Sequence, residues 1–182
     1  MRHIISVLLQ NEAGALGRVA GMFSTRGYNI ESLSVAPTDE PAVSRLTLVT
    51  TGDDAVITQI VNQLQKLVDV VLVDDLTRGA HFERETALLK FRVSEAGLDP
   101  LARLVTEADG KILSGALGSF TVALTESEAA INRFIAEATQ HAPLIEVVRS
   151  GALAIGQGPR TLRLAPVAAG MAPRRAAGHE GC

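Results

Sequence analysis

The chain of 182 residues holds one cysteine, at its last position, Cys182, and no tryptophan. A single cysteine excludes a disulfide within the chain and any cysteine-based metal cluster. Aromatic residues make up 3% of the chain, too few to build a base-stacking platform for single-stranded nucleic acid. Long apolar runs are missing as well. The first stretch, Ile4 to Leu9 with Ser6 inside it, is shorter than a signal core or a membrane span requires. Together these absences predict a soluble cytoplasmic protein with no membrane partner.

Basic charge is scarce in most of the chain. Residues 1–150 carry 13 Lys/Arg against 19 Asp/Glu, whereas residues 151–182 carry four Arg against one Glu. An acidic body argues against nucleic acid as a partner, and four Arg spread along a tail are a weak basic signal.

The residues of catalysis are missing too. His3, His81, His141 and His179 show no ligand spacing, so no metal site is expected and surface or strand-end positions are. "GALGSF" (115–120) and "GQGPR" (156–160) complete neither a dinucleotide fingerprint nor a P-loop. The acid pairs Asp53-Asp54 and Asp74-Asp75 fall at an expected helix start and strand end, where capping or solvation suffices. No nucleophile has a base assigned to it. The expectation is no catalytic residue and no cofactor bound by this chain.

What is present is an aliphatic pattern, within a chain that is 47% hydrophobic. "RHIISVLLQ" (2–10) reads as a buried strand. Leu16, Val19, Ala20 and Phe23 recur at helical spacing between Ala13 and Arg26. Strands follow at 28–37 and 42–51 around the turn "TDEP" (38–41). A helix capped by Asp53 or Asp54 carries the stripe Ile57, Ile60, Val61, Leu64 and Leu67, and a strand at 68–77 closes the unit. The order βαββαβ is that of a ferredoxin-like unit.

The same order returns: a strand at 86–94, a helix with Asp99 as cap and Pro100 at its first position, and two strands within 111–125. A helix opened by Thr125 and Glu128 in capping-box spacing and a strand at 143–151 complete it. The predicted fold class is therefore α+β, with two tandem ferredoxin-like βαββαβ units. They occupy 1–78 and 79–155, joined near "RGAHFERE" (78–85), and a flexible tail follows at 156–182.

One segment has a binding chemistry of its own. "NEAGALGRVAGMFSTRGYNI" (11–30) leads from the first strand into the first helix and on to the next strand. Asn11 offers an amide at the turn, and Gly14 lets a ligand approach the backbone closely. The free N–H groups of the first helical turn suit a small carboxylate. Leu16 offers an apolar wall, and Asn29 with Ile30 can face the same space. Such a pocket fits a small aliphatic amino acid. The plainer alternative is that Gly14 makes a turn and both Asn cap. Gly17 and Gly21 each cost a helix about 1 kcal/mol relative to Ala, which points to close packing on the sheet or on a second subunit. Gly27 suits a turn.

The string "SVLLQNEAGALGRVAGMFSTRGYNIESLSVAPTDEPAVSRLTLVT", followed by "QLQKLVDV" and "IEVVRSG", resembles the small regulatory subunit of acetolactate synthase (acetohydroxyacid synthase). The resemblance spans about residues 1–155. It implies an N-terminal ACT domain, a C-terminal ferredoxin-like domain and a homodimer. It implies a large catalytic subunit as partner, carrying thiamine diphosphate, FAD and Mg²⁺. The small subunit would be non-catalytic, would activate that enzyme, and would confer valine feedback inhibition in branched-chain amino-acid biosynthesis (valine, leucine and isoleucine). The effector would sit between two ACT domains, at positions that here are Asn11, Ala13, Gly14, Ala15, Leu16, Asn29 and Ile30. Gly17 stands where the family often has Ser, and the C-terminal half diverges more. Three rival readings are an amino-acid sensor for another enzyme, a subunit that activates without sensing valine, and a small stand-alone enzyme on a ferredoxin-like fold.

Overall fold

The computed structural model describes residues 1–164; of the tail predicted at 156–182, residues 165–182 lie outside the described residues. The first unit comprises β1 (Arg2–Gln10), α1 (Ala15–Thr25), β2 (Ser32–Pro37), β3 (Val43–Thr51), α2 (Asp54–Leu64) and β4 (Val70–Asp75). The second comprises β5 (His81–Phe91), α3 (Glu95–Glu107), β6 (Lys111–Ala116), β7 (Ser119–Glu126), α4 (Glu128–Ala138) and β8 (Leu144–Arg149), followed by β9 (Leu153–Gly156). Each unit forms an antiparallel sheet, ordered β2-β3-β1-β4 in the first and β6-β7-β5-β8 in the second. Two antiparallel sheets, each carrying two helices, are what two ferredoxin-like units require.

Alternation along the strands decides which face meets the helices. Ile5, Val7 and Leu9 of β1 and Leu46 and Leu48 of β3 pack with Ala15, Val19 and Phe23 of α1 and Ile57, Ile60 and Leu64 of α2. Ala87, Leu89 and Phe91 of β5 play the same part against Leu101, Val105, Ile131 and Phe134. Each fully buried aliphatic side chain stabilises the fold by about 1.5–3 kcal/mol, so an aromatic-poor core is sufficient.

Several local expectations change. Asp53 caps α2, its carboxylate accepting from the Val56 N–H at 2.8 Å. At α4 the cap is Ser127, accepting from Ala130 at 3.3 Å, while Thr125 lies inside β7 opposite Thr86. α3 starts at Glu95, not after Asp99, which places Pro100 inside it. Pro100 cannot donate to the Ala96 carbonyl, but the early start buries Gly97 and packs Leu98 on the core. Packing outweighs the lost bond. Gly17 and Gly21 adjoin open space, since a Cβ on either would meet nothing within 4 Å; close packing within the chain is not their role.

The segment "RGAHFERE" is not a loose joint. Its residues 81–85 belong to β5, and His81 to Arg84 pair with β9. Ala152 and Ala154 then cover Ile4, Val49 and Leu76 on the back of the first sheet. Beyond β9, Arg160 donates to the Asp74 carboxylate and, at 3.0 Å, to the Asp75 carbonyl, and Arg163 pairs with Asp39. Residues 152–163 thus strap the back of the first sheet, where a flexible segment is predicted from 156 onward. The physical reason is that these contacts need β5 and the sheet as partners, which no local pattern reports. Asp74 and Asp75 are likewise engaged rather than solvated, and Asp75 is buried.

Candidate functional site

β1 ends at Gln10, whose N–H donates to the Asp69 carbonyl at 2.8 Å. The chain then turns through Asn11 to Gly14 into α1. Asn11 is fixed on three sides. Its N–H donates to the Ala42 carbonyl at 2.8 Å, its side-chain amide donates to Pro41 at 3.1 Å, and its Oδ1 accepts from Ser44 at 3.1 Å. The Asn11 side chain therefore holds the β2–β3 turn and does not cap α1.

Gly14 is the residue before the helix, with φ +86°, a left-handed conformation that L side chains adopt only with strain. α1 receives no side-chain cap and has no acidic residue in its first turn. The Ala15 N–H donates to the Glu12 carbonyl at 3.2 Å. Among the described residues, the N–H groups of Leu16 and Gly17 find no acceptor. A helix start of this kind presents bare donors and a partial positive charge.

The predicted residues fall into distinct places. Asn11, Ala13, Gly14 and Leu16 are exposed around the β1–α1 loop. Ala15 is buried in the core, so only its backbone faces the loop. Asn29 and Ile30 lie elsewhere, just before β2. The Asn29 carbonyl accepts from Thr50 Oγ1 at 2.6 Å, and Ile30 packs on the core. Gln10 pairs with Val43, whereas Ser32 pairs with Val49. Six residues of β3 separate the two levels, or about 20 Å at the rise of a strand. The two sets do not share one space within a chain. They sit at opposite ends of the sheet, whose edge strands are β2 and β4.

A concavity of the second unit lies away from both levels. A groove of ≈ 420 Å³ lies between α3 and α4, over Leu104, Leu124, Ile131 and Phe134 with Glu107 and Glu137 at its rim.

Two residues outside the sequence-based set join the loop. Arg18 spans Asp69 with Nε and Nη2, the latter donating to Oδ1 at 2.7 Å. Asp69 is 3% exposed. The hydrogen bond from Arg18 holds its carboxyl below the usual carboxylate range, against the opposing effect of burial, and the same bond raises the Arg18 guanidinium. A Cβ at Gly14 would lie 3.1 Å from Arg18 Nη1, so the guanidinium rests on the glycine. The signal for this pair was slight: one acid inside the apolar run "LVDVV", and one cation four residues after Gly14. His3 lies at a strand end, as the second residue of β1; it is buried, and among the described residues neither ring nitrogen finds a partner.

Residues 5–72 match the family described as the AHAS small subunit-like ACT domain, and residues 84–158 match the small subunit of acetolactate synthase. The chain is 47% identical over 163 residues to the acetolactate synthase isozyme 3 small subunit of Escherichia coli, covering 90% of this chain and 100% of that protein. It is 43% identical over 162 residues to the acetolactate synthase small subunit of Haemophilus influenzae, covering 89% and 99%. The crystal structure of the acetolactate synthase small subunit from Thermotoga maritima superposes with a TM-score of 0.80 at 33% identity, covering 87% of this chain and 98% of that one. With two domain matches in sequence order and relatives aligned over nearly their full length, the chain belongs to the acetolactate synthase small-subunit family.

Proposed function

We propose that this chain is the regulatory partner of a large catalytic acetolactate synthase subunit, which it activates and renders sensitive to valine. The catalytic partner carries thiamine diphosphate, FAD and Mg²⁺. It decarboxylates pyruvate and condenses the product with pyruvate or 2-oxobutanoate, while this chain supplies no reacting group.

The supporting observation is the split of the site along β2. A twofold-related copy running antiparallel at that edge brings the Asn29–Ile30 level of one chain to the Asn11–Leu16 loop of the other. Valine then lies between the copies. Its carboxylate meets the uncapped start of α1, its ammonium meets the asparagine amides, and its isopropyl group meets Leu16 and Ile30. Inhibition follows if the catalytic subunit prefers the arrangement that valine disfavours, with a coupling of about 1–3 kcal/mol.

The test is acetolactate formation by the large subunit, alone and with this chain, across a valine titration. We expect a rise on adding the chain and a valine-dependent fall thereafter. A chain that neither associates with the large subunit nor changes its rate defeats the assignment. Activation without a valine response defeats only the effector site.

A further inference from the structure

We propose that the open back of the second sheet, continued by the outer face of the β5–β9 ribbon, is the surface that docks onto the large catalytic subunit. The inference rests on the regulatory role proposed above and adds where the two proteins meet.

β5 has two faces of opposite character along its length. Ala87, Leu89 and Phe91 point into the core of the second unit. The alternate residues Phe82, Arg84, Thr86, Leu88 and Lys90 share the other face. Pairing makes its apolar members contiguous: Leu88 lies opposite Val148, and Phe82 lies opposite Ile155. Leu153 adjoins them, opposite Arg84. These five apolar side chains are each 41% exposed or more. Of the five phenylalanines in the chain, Phe23, Phe91, Phe120 and Phe134 are buried, and Phe82 is the one left outside. The ribbon is also inverted in size. It turns Ala152 and Ala154 onto Ile4, Val49 and Leu76 and leaves Phe82, Leu153 and Ile155 in water. Exposed apolar side chains grouped in this way mark an interaction site, and an aromatic among them is a common anchor.

Charge selects the occupant. Lys111 lies opposite Ala123, which is itself opposite Leu88. Arg92 follows the alternation just past β5, between buried Phe91 and Val93. With Arg84 and Lys90, this face holds four of the 13 Lys/Arg of residues 1–150 but, in Glu146, one of their 19 Asp/Glu. Glu146 is taken by Lys90 at 3.2 Å. Among the described residues Arg84, Arg92 and Lys111 form no ion pair. An otherwise acidic body thus keeps one apolar face with a basic rim. A second copy fits it badly, because an isologous contact sets that rim against itself. The matching surface on the large subunit has an apolar centre and a rim of Asp or Glu.

The experiment titrates the purified large subunit with the full-length chain and follows both association and acetolactate formation. Phe82→Ser/Ile155→Ser should weaken association about 10- to 100-fold, as loss of a central anchor does. Arg84→Glu/Lys111→Glu should weaken it to a similar degree and slow association at low salt, with the difference from wild type narrowing as salt rises. Both variants should bind valine as wild type does and keep its sedimentation coefficient. Melting temperatures check folding, and the two variants share no residue, so a defect in one leaves the other to decide. Association of both folded variants at wild-type strength overturns the proposal. So does a fall in sedimentation coefficient, which gives the face to a second copy. Failure of the wild type to bind the large subunit overturns the regulatory role as well, and is distinguished by appearing before any substitution.

Discussion

Ile4 and Val49 on the back of the first sheet are buried beneath Ala152 and Ala154, whereas Leu88 and Val148, paired on the back of the second, are 41% and 52% exposed. The helix starts follow one pattern in both units: α2 and α4 are capped by Asp53 and Ser127, while α1 and α3 start without a side-chain cap, α1 from a left-handed glycine. One element order therefore serves two purposes. The first unit is closed behind by the strap; the second is open behind. What separates them lies in loops and in twelve residues of strap (152–163), not in the sheets.

Removing the strap should have the largest effect. Truncation after Ser150 uncovers Ile4, Val49 and Leu76 and deletes the Arg160 contacts, a loss on the order of 3 kcal/mol from apolar exposure. Scanning calorimetry should then resolve two transitions, the earlier one from the first unit. One unchanged transition would dissolve the distinction drawn between the two backs.

Paired glycine substitutions sharpen it further. A Cβ at Gly97 would lie 2.6 Å from the His141 carbonyl, so Gly97→Ala should cost about 2 kcal/mol by overpacking and leave valine binding intact. Gly14→Ala should cost about 1 kcal/mol from left-handed strain and abolish valine binding. Urea denaturation read beside valine titration checks both, and the reverse pattern would exchange the roles given to the two halves.

The Arg18–Asp69 pair gives the first unit an acid dependence. Asp69 titrates below its unfolded value near 4. The stability it contributes is therefore complete above that value and is lost as pH falls through the lowered folded value. Stability of wild type and Asp69→Asn should differ at pH 6 and converge in strong acid, as followed by denaturant midpoints. A constant gap would show that Arg18 does not perturb Asp69. The smallest effect is expected at Gly17 and Gly21. Alanine at either meets open space and should stabilise the chain by about 0.5–1 kcal/mol through reduced unfolded-state entropy. Destabilisation would return these glycines to a packing role.

Element order was legible because "RHIISVLLQ" is a short, almost wholly apolar run bounded by polar residues, and the aliphatic residues from Ile57 to Leu64 recur every three to four. Asp53 was legible as a cap for the same local reason. Ser127 was obscured by Thr125, which satisfies the capping-box pattern but is claimed by pairing with Thr86. Pro100 suggested a helix start that the burial of Gly97 and Leu98 moved upstream. The strap looked inert because Gly, Pro and Arg reveal nothing about a partner strand about seventy residues away. At the candidate site, the residue types were readable and their distribution was not. Nothing local shows that the start of β2 and the end of β1 lie at opposite ends of one sheet, since that follows from the pairing of both with β3.

The strap also sets an order of events during synthesis. β1 and β3 are complete once residue 51 has been made, but the alanines and arginine that cover their back arrive only between residues 152 and 160. At a translation rate of about 5–20 residues per second, that interval lasts roughly 5–20 s. Throughout it Ile4 and Val49 on the back of the first sheet lack their cover. Such a surface is a natural target for a chaperone that acts at the ribosome, and it closes only when β9 pairs with β5.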